Sequence, residues 1–181
     1  MISFLKDECL DNRDTAHDLA HIMRVVQNAR FLAQPDTDGQ VIRAAAWLHD
    51  CVSLPKDHPD RKKSSVMAAD KAAGFLKSIR YPKEKIPAVH HAIAAHSFSG
   101  GIKPETPEAK IVQDADRLDS LGAIGLARCL MVGGQLGRPL YNPDDPFCKN
   151  RPPDDSKWTI DHFYSKLFKL PETMQTETGK K

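Results

Sequence analysis

Two residue types that seldom share a buried position stand side by side at His49-Asp50. They close the apolar, alanine-rich run Arg43-Ala44-Ala45-Ala46-Trp47-Leu48. Alanine and leucine favour helix, and a single charge in the run marks that helix as a buried one. A buried imidazole beside a carboxylate is costly unless something pairs with both, and a divalent cation does so. His21, on a helical pattern between Leu19 and Val25, and Asp116, in Asp114-Ala115-Asp116-Arg117-Leu118-Asp119, complete a candidate set with His49 and Asp50. Two imidazoles and two carboxylates suit Mn²⁺, Fe²⁺, Co²⁺, Ni²⁺ or Zn²⁺, with Mg²⁺ less well matched to nitrogen. The competing interpretation is four unrelated polar residues: a surface histidine, a helix-end His-Asp and an exposed acid.

Helices must carry these side chains, because bundles build metal sites by projecting ligands inward from several elements. A short helix is expected over 2–11. Asp14 or Thr15 is expected to cap the next, from about Ala16 to Ala33, whose apolar positions Leu19, Ile22, Val25, Val26, Ala29 and Leu32 recur at helical spacing. His17 precedes His21 by one turn and fits the helix start. A helix from Gln40 to Asp50 delivers the His-Asp pair. Residues 51–63, with Pro55, Pro59 and many charges, predict a loop beside the site.

Ser64 or Ser65 is expected to cap a helix to about Ile79, and a further helix from Lys83 to about His96 carries His90, His91 and His96. Pro107 suits the first turn of a helix through Asp116. A small-residue helix over 120–132 is expected to end at Gly133-Gly134. Residues 137–153 predict an ordered or half-ordered loop, Lys157–Leu170 a last helix, and Pro171-Glu172-Thr173 the start of another that Lys181 cuts short. Asp114 is expected to be exposed, and Asp119 to be a helix cap or an acceptor for a ligand histidine.

The whole reads as one all-α domain of 181 residues, its core about 16–133 and a loop and helical extension over 134–181. Hydrophobic residues are 40% and aromatics only 7%, which points to an aliphatic, alanine-rich core. With Lys+Arg 26 against Asp+Glu 24, the charge is too balanced to suggest nucleic-acid binding. Four scattered cysteines predict reduced thiols and a cytoplasmic protein. No apolar run suits a membrane span. The one macromolecular partner expected is, at most, a second copy forming a homodimer.

The order His21, His49-Asp50, Asp116 resembles the H…HD…D pattern of the HD superfamily of metal-dependent phosphohydrolases. The flanking words are similar too: His17-Asp18-Leu19-Ala20-His21-Ile22-Met23-Arg24-Val25, Ala95-His96-Ser97-Phe98-Ser99, Asp145-Pro146-Phe147, Asp161-His162-Phe163 and Leu170-Pro171-Glu172-Thr173-Met174. They resemble a bacterial subgroup of small stand-alone HD hydrolases. The resemblance implies an all-helical bundle, a divalent metal and hydrolysis of phosphate esters or anhydrides, often of nucleotides; the subgroup adds a Mn²⁺-type nucleotide pyrophosphohydrolase. In that setting Asp50 is ligand and water-orienting group. Lys56 first, then Arg24 and Arg61, are expected to face the phosphates, and His91 and His96 to serve the pocket. An alarmone hydrolase is disfavoured by Val52-Ser53-Leu54-Pro55, which stands where a Glu-Asp pair would follow HD. A cyclic-nucleotide phosphodiesterase is disfavoured by the lack of a GYP-type motif. A nucleotide-binding but catalytically idle sensor is the rival from another class.

Overall fold

The computed structural model describes residues 1–8, 18–54 and 58–181. Its helices are α1 (Ile2–Glu8), α2 (Leu19–Leu32), α3 (Gly39–Leu48), α4 (Ser64–Ser78), α5 (Ile86–His96), α6 (Pro107–Asp119), α7 (Gly122–Gln135) and α8 (Asp161–Ser165). There are no strands among the described residues, as the all-α expectation requires.

The core is a bundle of α2, α3, α5 and α6, with α4 laid against α5. Its filling is Ile22, Val25, Ala29 and Leu32 from α2, Ala44, Ala45, Ala46 and Leu48 from α3, Ala92 and Ile93 from α5, and Ile111, Val112 and Ala115 from α6, all nearly or fully inaccessible. Alanine at so many contact positions lets helix axes approach closely. Phe4 of α1 stacks on Phe75 of α4 with centroids 3.9 Å apart.

One residue aligns three helix starts. Asp38 caps α3 by accepting from the N–H groups of Gln40 (2.9 Å) and Val41 (3.3 Å). Its other oxygen pairs with Lys85, just before α5, at 2.7 Å, and its own N–H donates to Glu108, in the first turn of α6, at 2.9 Å. The three helices therefore run in one direction, and their C-terminal ends arrive together at the far end of the bundle. α2 enters at that same end, started by Asp18, which accepts from the His21 N–H at 2.8 Å. The caps expected at Asp14 and Thr15, and His17, lie outside the described residues.

Among its described residues, the expected loop over 51–63 holds one 3₁₀ turn, Arg61–Lys63, that leads into α4. Ser64 and Ser65 do not cap α4 but form its first residues; the Ser64 hydroxyl instead accepts from Leu54 N–H and donates to Val52 C=O, both at 3.1 Å, fastening the loop.

Two expectations about the C-terminal third are corrected. α7 runs through Gly133-Gly134 to Gln135. Gly133 is a contact, not a terminus: a Cβ there would lie 2.3 Å from the Thr159 side chain. The positive φ of Gly122 (+60°) turns the chain from α6 into α7. The helix expected over Lys157–Leu170 shrinks to α8, followed by 3₁₀ turns at Leu167–Lys169 and Pro171–Thr173. Side chains explain this. Buried Asp161 accepts from the Asp154 N–H (2.7 Å) and from Arg151, while Asp155 is drawn to His162 and Ser165, so residues 154–160 turn back on themselves instead of propagating a helix. Leu167, Leu170 and Met174 then anchor the segment.

Candidate metal centre

His49 and Asp50 lie just past the end of α3, His96 is the last residue of α5, Asp116 is in the last turn of α6, and His21 is in the first turn of α2. Their polar atoms converge. His49 Nε2 lies 3.2 Å from His21 Nε2. One Asp50 oxygen is 3.5 Å from each of these nitrogens, and its other oxygen is 3.5 Å from His96 Nε2. Asp116 approaches His21 Nε2 at 3.6 Å. The group divides into two overlapping sets, His21-His49-Asp116 and His49-Asp50-His96, each with ligand atoms within 4.8 Å of one another.

The outer face of each imidazole fixes which nitrogen points inward. His49 Nδ1 lies 2.9 Å from the Ala46 carbonyl, and His96 Nδ1 lies 2.6 Å from the Ile93 carbonyl. A carbonyl only accepts, so both Nδ1 atoms carry the proton. His21 Nδ1 donates to the Asp119 carboxylate at 2.7 Å. All three rings thus present Nε2 to the cluster, held by an outer acceptor as in metal-binding histidines generally. Ligands about 2.1 Å from one ion at right angles lie about 3 Å apart. The separations found here fit a divalent cation after small inward movements of the side chains. Helix C-termini of α3, α5 and α6 add partial negative charge on the same side.

The charges in this cluster pull against one another. Burial disfavours a charged His21, but Asp119 and Asp50 outweigh it and push its pKa up to about 9. Burial holds His49 neutral, with its pKa down at about 4. His96 also feels burial, yet Asp50 raises it. Asp119 is inaccessible enough for burial to favour its acid form; His21 and Arg24 reverse that and lower it to about 2.

Beside the cluster opens a pocket with about 550 Å³ of empty space, mouth included, lined by Asp50, His96 and Asp116 and by Arg61, Ser65, Arg128 and Lys166 among others.

The expected positions fare differently. The structure brings His21, His49, Asp50 and Asp116 together, and His96 with them. Arg61 lines the pocket. Arg24 does not: it pairs with Asp119 at 2.5 Å and steadies the acceptor of His21. His91 is also elsewhere, because its Nε2 accepts from the Glu105 N–H at 3.0 Å on the exposed side of α5. Lys56 lies outside the described residues. Asp114, expected to be exposed, is fully buried and caps the C-terminal segment, accepting from the N–H groups of Gln175 (3.0 Å) and Thr176 (2.7 Å). Sequence reasoning missed Arg128, Ser65 and Lys166; the nearest signal for Lys166 was its place between two family-like words, Asp161-His162-Phe163 and Leu170-Pro171-Glu172-Thr173-Met174.

The family model of the HD domain matches residues 18–121, which span all of α2 to α6 and every ligand candidate. The chain belongs to the HD-domain family. Among relatives, the uncharacterized protein YpgQ of Bacillus subtilis is 31% identical over 176 residues, covering 94% of this chain and 78% of YpgQ. The crystal structure of YpgQ in complex with ADP superposes with a TM-score of 0.68 at 32% identity, over 93% of this chain and 78% of that one. An HD-superfamily hydrolase from Bacillus thuringiensis is 36% identical, with a TM-score of 0.64 over 91% and 75% of the two chains. HD domains bind divalent metals, and among the described residues the histidine–aspartate cluster could hold one. Its relatives make it an HD-superfamily, metal-dependent hydrolase.

Proposed function

We propose that this HD domain hydrolyses a phosphate ester or anhydride of a small phosphorylated substrate, a nucleotide first of all, with Mn²⁺ as the preferred ion. The observation that carries the proposal is the shared orientation of three imidazoles, each tied outward through Nδ1 and presenting Nε2 to Asp50 and Asp116. The ADP held by YpgQ, which is 32% identical, supports a nucleotide as ligand. His21, His49, Asp50 and Asp116 would hold the ion, with His96 adjoining. A bound divalent cation supplies Lewis acidity and lowers the pKa of water beside it.

The chain supplies the rest. Asp50 lines the pocket and reaches three imidazoles, so it can accept a hydrogen bond from a water approaching phosphorus and keep it aligned. Asp119 holds the His21 ring in its tautomer and is itself held by Arg24 and Arg128. Arg61 and the proposed Lys56 offset charge on the phosphates.

Purified protein with Mn²⁺, Co²⁺, Ni²⁺ or Mg²⁺, presented with nucleoside mono-, di- and triphosphates, should release phosphate or pyrophosphate. Chelator and Asp50→Ala should each abolish release. Binding of nucleotide without turnover under every metal would overturn the proposal and leave an idle sensor. Lys56→Ala should raise KM or lower kcat at unchanged metal content.

A further inference from the structure

The pocket lining has further features that the metal centre does not use. The Ser65 side chain is buried, 3% accessible, and lines the pocket, yet its hydroxyl has no hydrogen-bond partner. An orphaned buried hydroxyl is unfavourable unless something arrives to satisfy it. Ser65 also sits in the first turn of α4, a helix of 15 residues with no acidic residue in that turn and no side-chain cap. The 3₁₀ turn Arg61–Lys63 runs into it, with the Ser64 N–H donating to the Arg61 carbonyl, and the positive end of the helix dipole at this end favours an anion.

Two cations line the same pocket. Arg61 spends one nitrogen on neutral acceptors, the Leu54 carbonyl at 2.7 Å and the Ser53 hydroxyl at 3.4 Å. Lys166 lies over the Phe98 ring, 5.8 Å from its centroid, and no ion pair or hydrogen bond joins its ammonium to any described residue. Burial pulls its pKa below the ordinary lysine value. Lys166 is not there by chance of a mobile tail. Just before it, buried Asp161 is clamped by Arg151 and the Asp154 N–H; just after it, Leu167 and Leu170 enter the core. The acids facing the pocket are Asp50 and Asp116, which belong to the cation, and Arg128 is already paired with Asp119. Once Asp50 and Asp116 are matched by a divalent ion, Arg61 and Lys166 stand in surplus.

We infer that Ser65, the α4 N-terminus, Arg61 and Lys166 form an anion subsite for a second phosphoryl group, next to the one that meets the metal cluster. The inference rests on the phosphohydrolase reading and sharpens it: Ser65 and Lys166 would set a preference for linked phosphates over a lone one.

Methylenediphosphonate, a diphosphate with carbon at the bridge, and inorganic phosphate serve as probes, titrated calorimetrically into the Mn²⁺-loaded protein. The wild type should bind the diphosphonate at least about tenfold more tightly than phosphate, the worth of a charge-assisted hydrogen bond. Lys166→Met and Ser65→Ala should each reduce that ratio several-fold while leaving metal content and phosphate affinity in place, and Lys166→Arg should restore most of it. Thermal melting checks that each variant folds. An unchanged ratio in both Lys166→Met and Ser65→Ala overturns the subsite, as does a wild type without preference. Failure of the activity reading is separate: it would show as no nucleotide turnover with any metal, whatever the diphosphonate ratio.

Discussion

At the scale of single residues, the site depends on which imidazole nitrogen faces inward. Asp119 accepts from His21 Nδ1 at 2.7 Å, so Asp119→Asn should lose the tautomer lock and weaken metal binding by about 10–100-fold. A metal-ion titration of the variant against the wild type checks this. The same residues set the pH behaviour of the metal-free protein. His21 has a folded pKa of about 9, above its ordinary 6.5, so its stabilising contribution is complete below 6.5 and is lost as pH rises through 9. His49 is the reverse: with a folded pKa of about 4, it destabilises the fold as pH falls from 6.5 towards 4. The metal-free protein should melt at its highest temperature near pH 6.5. Saturating metal, which binds the neutral rings, should remove the alkaline decline, and its uptake at pH 7 should release about one proton, read from calorimetry in buffers of different ionisation enthalpy.

At the scale of elements, the structure makes helix ends matter more than helix middles. α3, α5 and α6 start together at Asp38, Lys85 and Glu108 and finish together at the cluster, so the candidate ligands they carry come from a last turn or just beyond it, while His21 comes from the first turn of α2. The residues that converge were readable as a candidate set, from histidine and aspartate set in apolar helical runs and from their likeness to the H…HD…D pattern. The rest of the pocket lining was not readable. Lys166 falls inside the helix expected over Lys157–Leu170, where nothing in its spacing marks it as a pocket residue, and Ser65 reads as a cap. Only the packing of distant segments shows that the lysine faces the pocket and that the hydroxyl lacks a partner. Asp114 misled for the same reason: its spacing from Asp116 turns it off the site, but the segment that covers it comes from residues 175–176. α7 carries a close contact of this kind. Gly133→Val would drive a side chain into Thr159 and should cost about 1–3 kcal/mol of stability, measured by denaturant unfolding, with metal binding retained once folded.

At the scale of the whole molecule, the bundle separates charge by helix polarity. The C-terminal ends of α3, α5 and α6 surround the cation position, while the N-terminal end of α4 and two cations border the anion subsite. The C-terminal segment closes the arrangement: Asp114 fastens it to α6, the Thr173 carbonyl accepts from Arg117, and Lys166 is carried between these anchors and α8. A single-domain helical fold was legible from the alanine-rich runs. The shortened last helix was not, because Asp154, Asp155 and Asp161 redirect the backbone through side-chain contacts that helical spacing does not encode.

Anomalous diffraction from crystals grown with Mn²⁺ tests the central claim most directly. A peak about 2.2 Å from Nε2 of His21 and His49 and from oxygens of Asp50 and Asp116 is the predicted result. A saturated crystal with no density among those four side chains, or with the ion bound elsewhere, would contradict it.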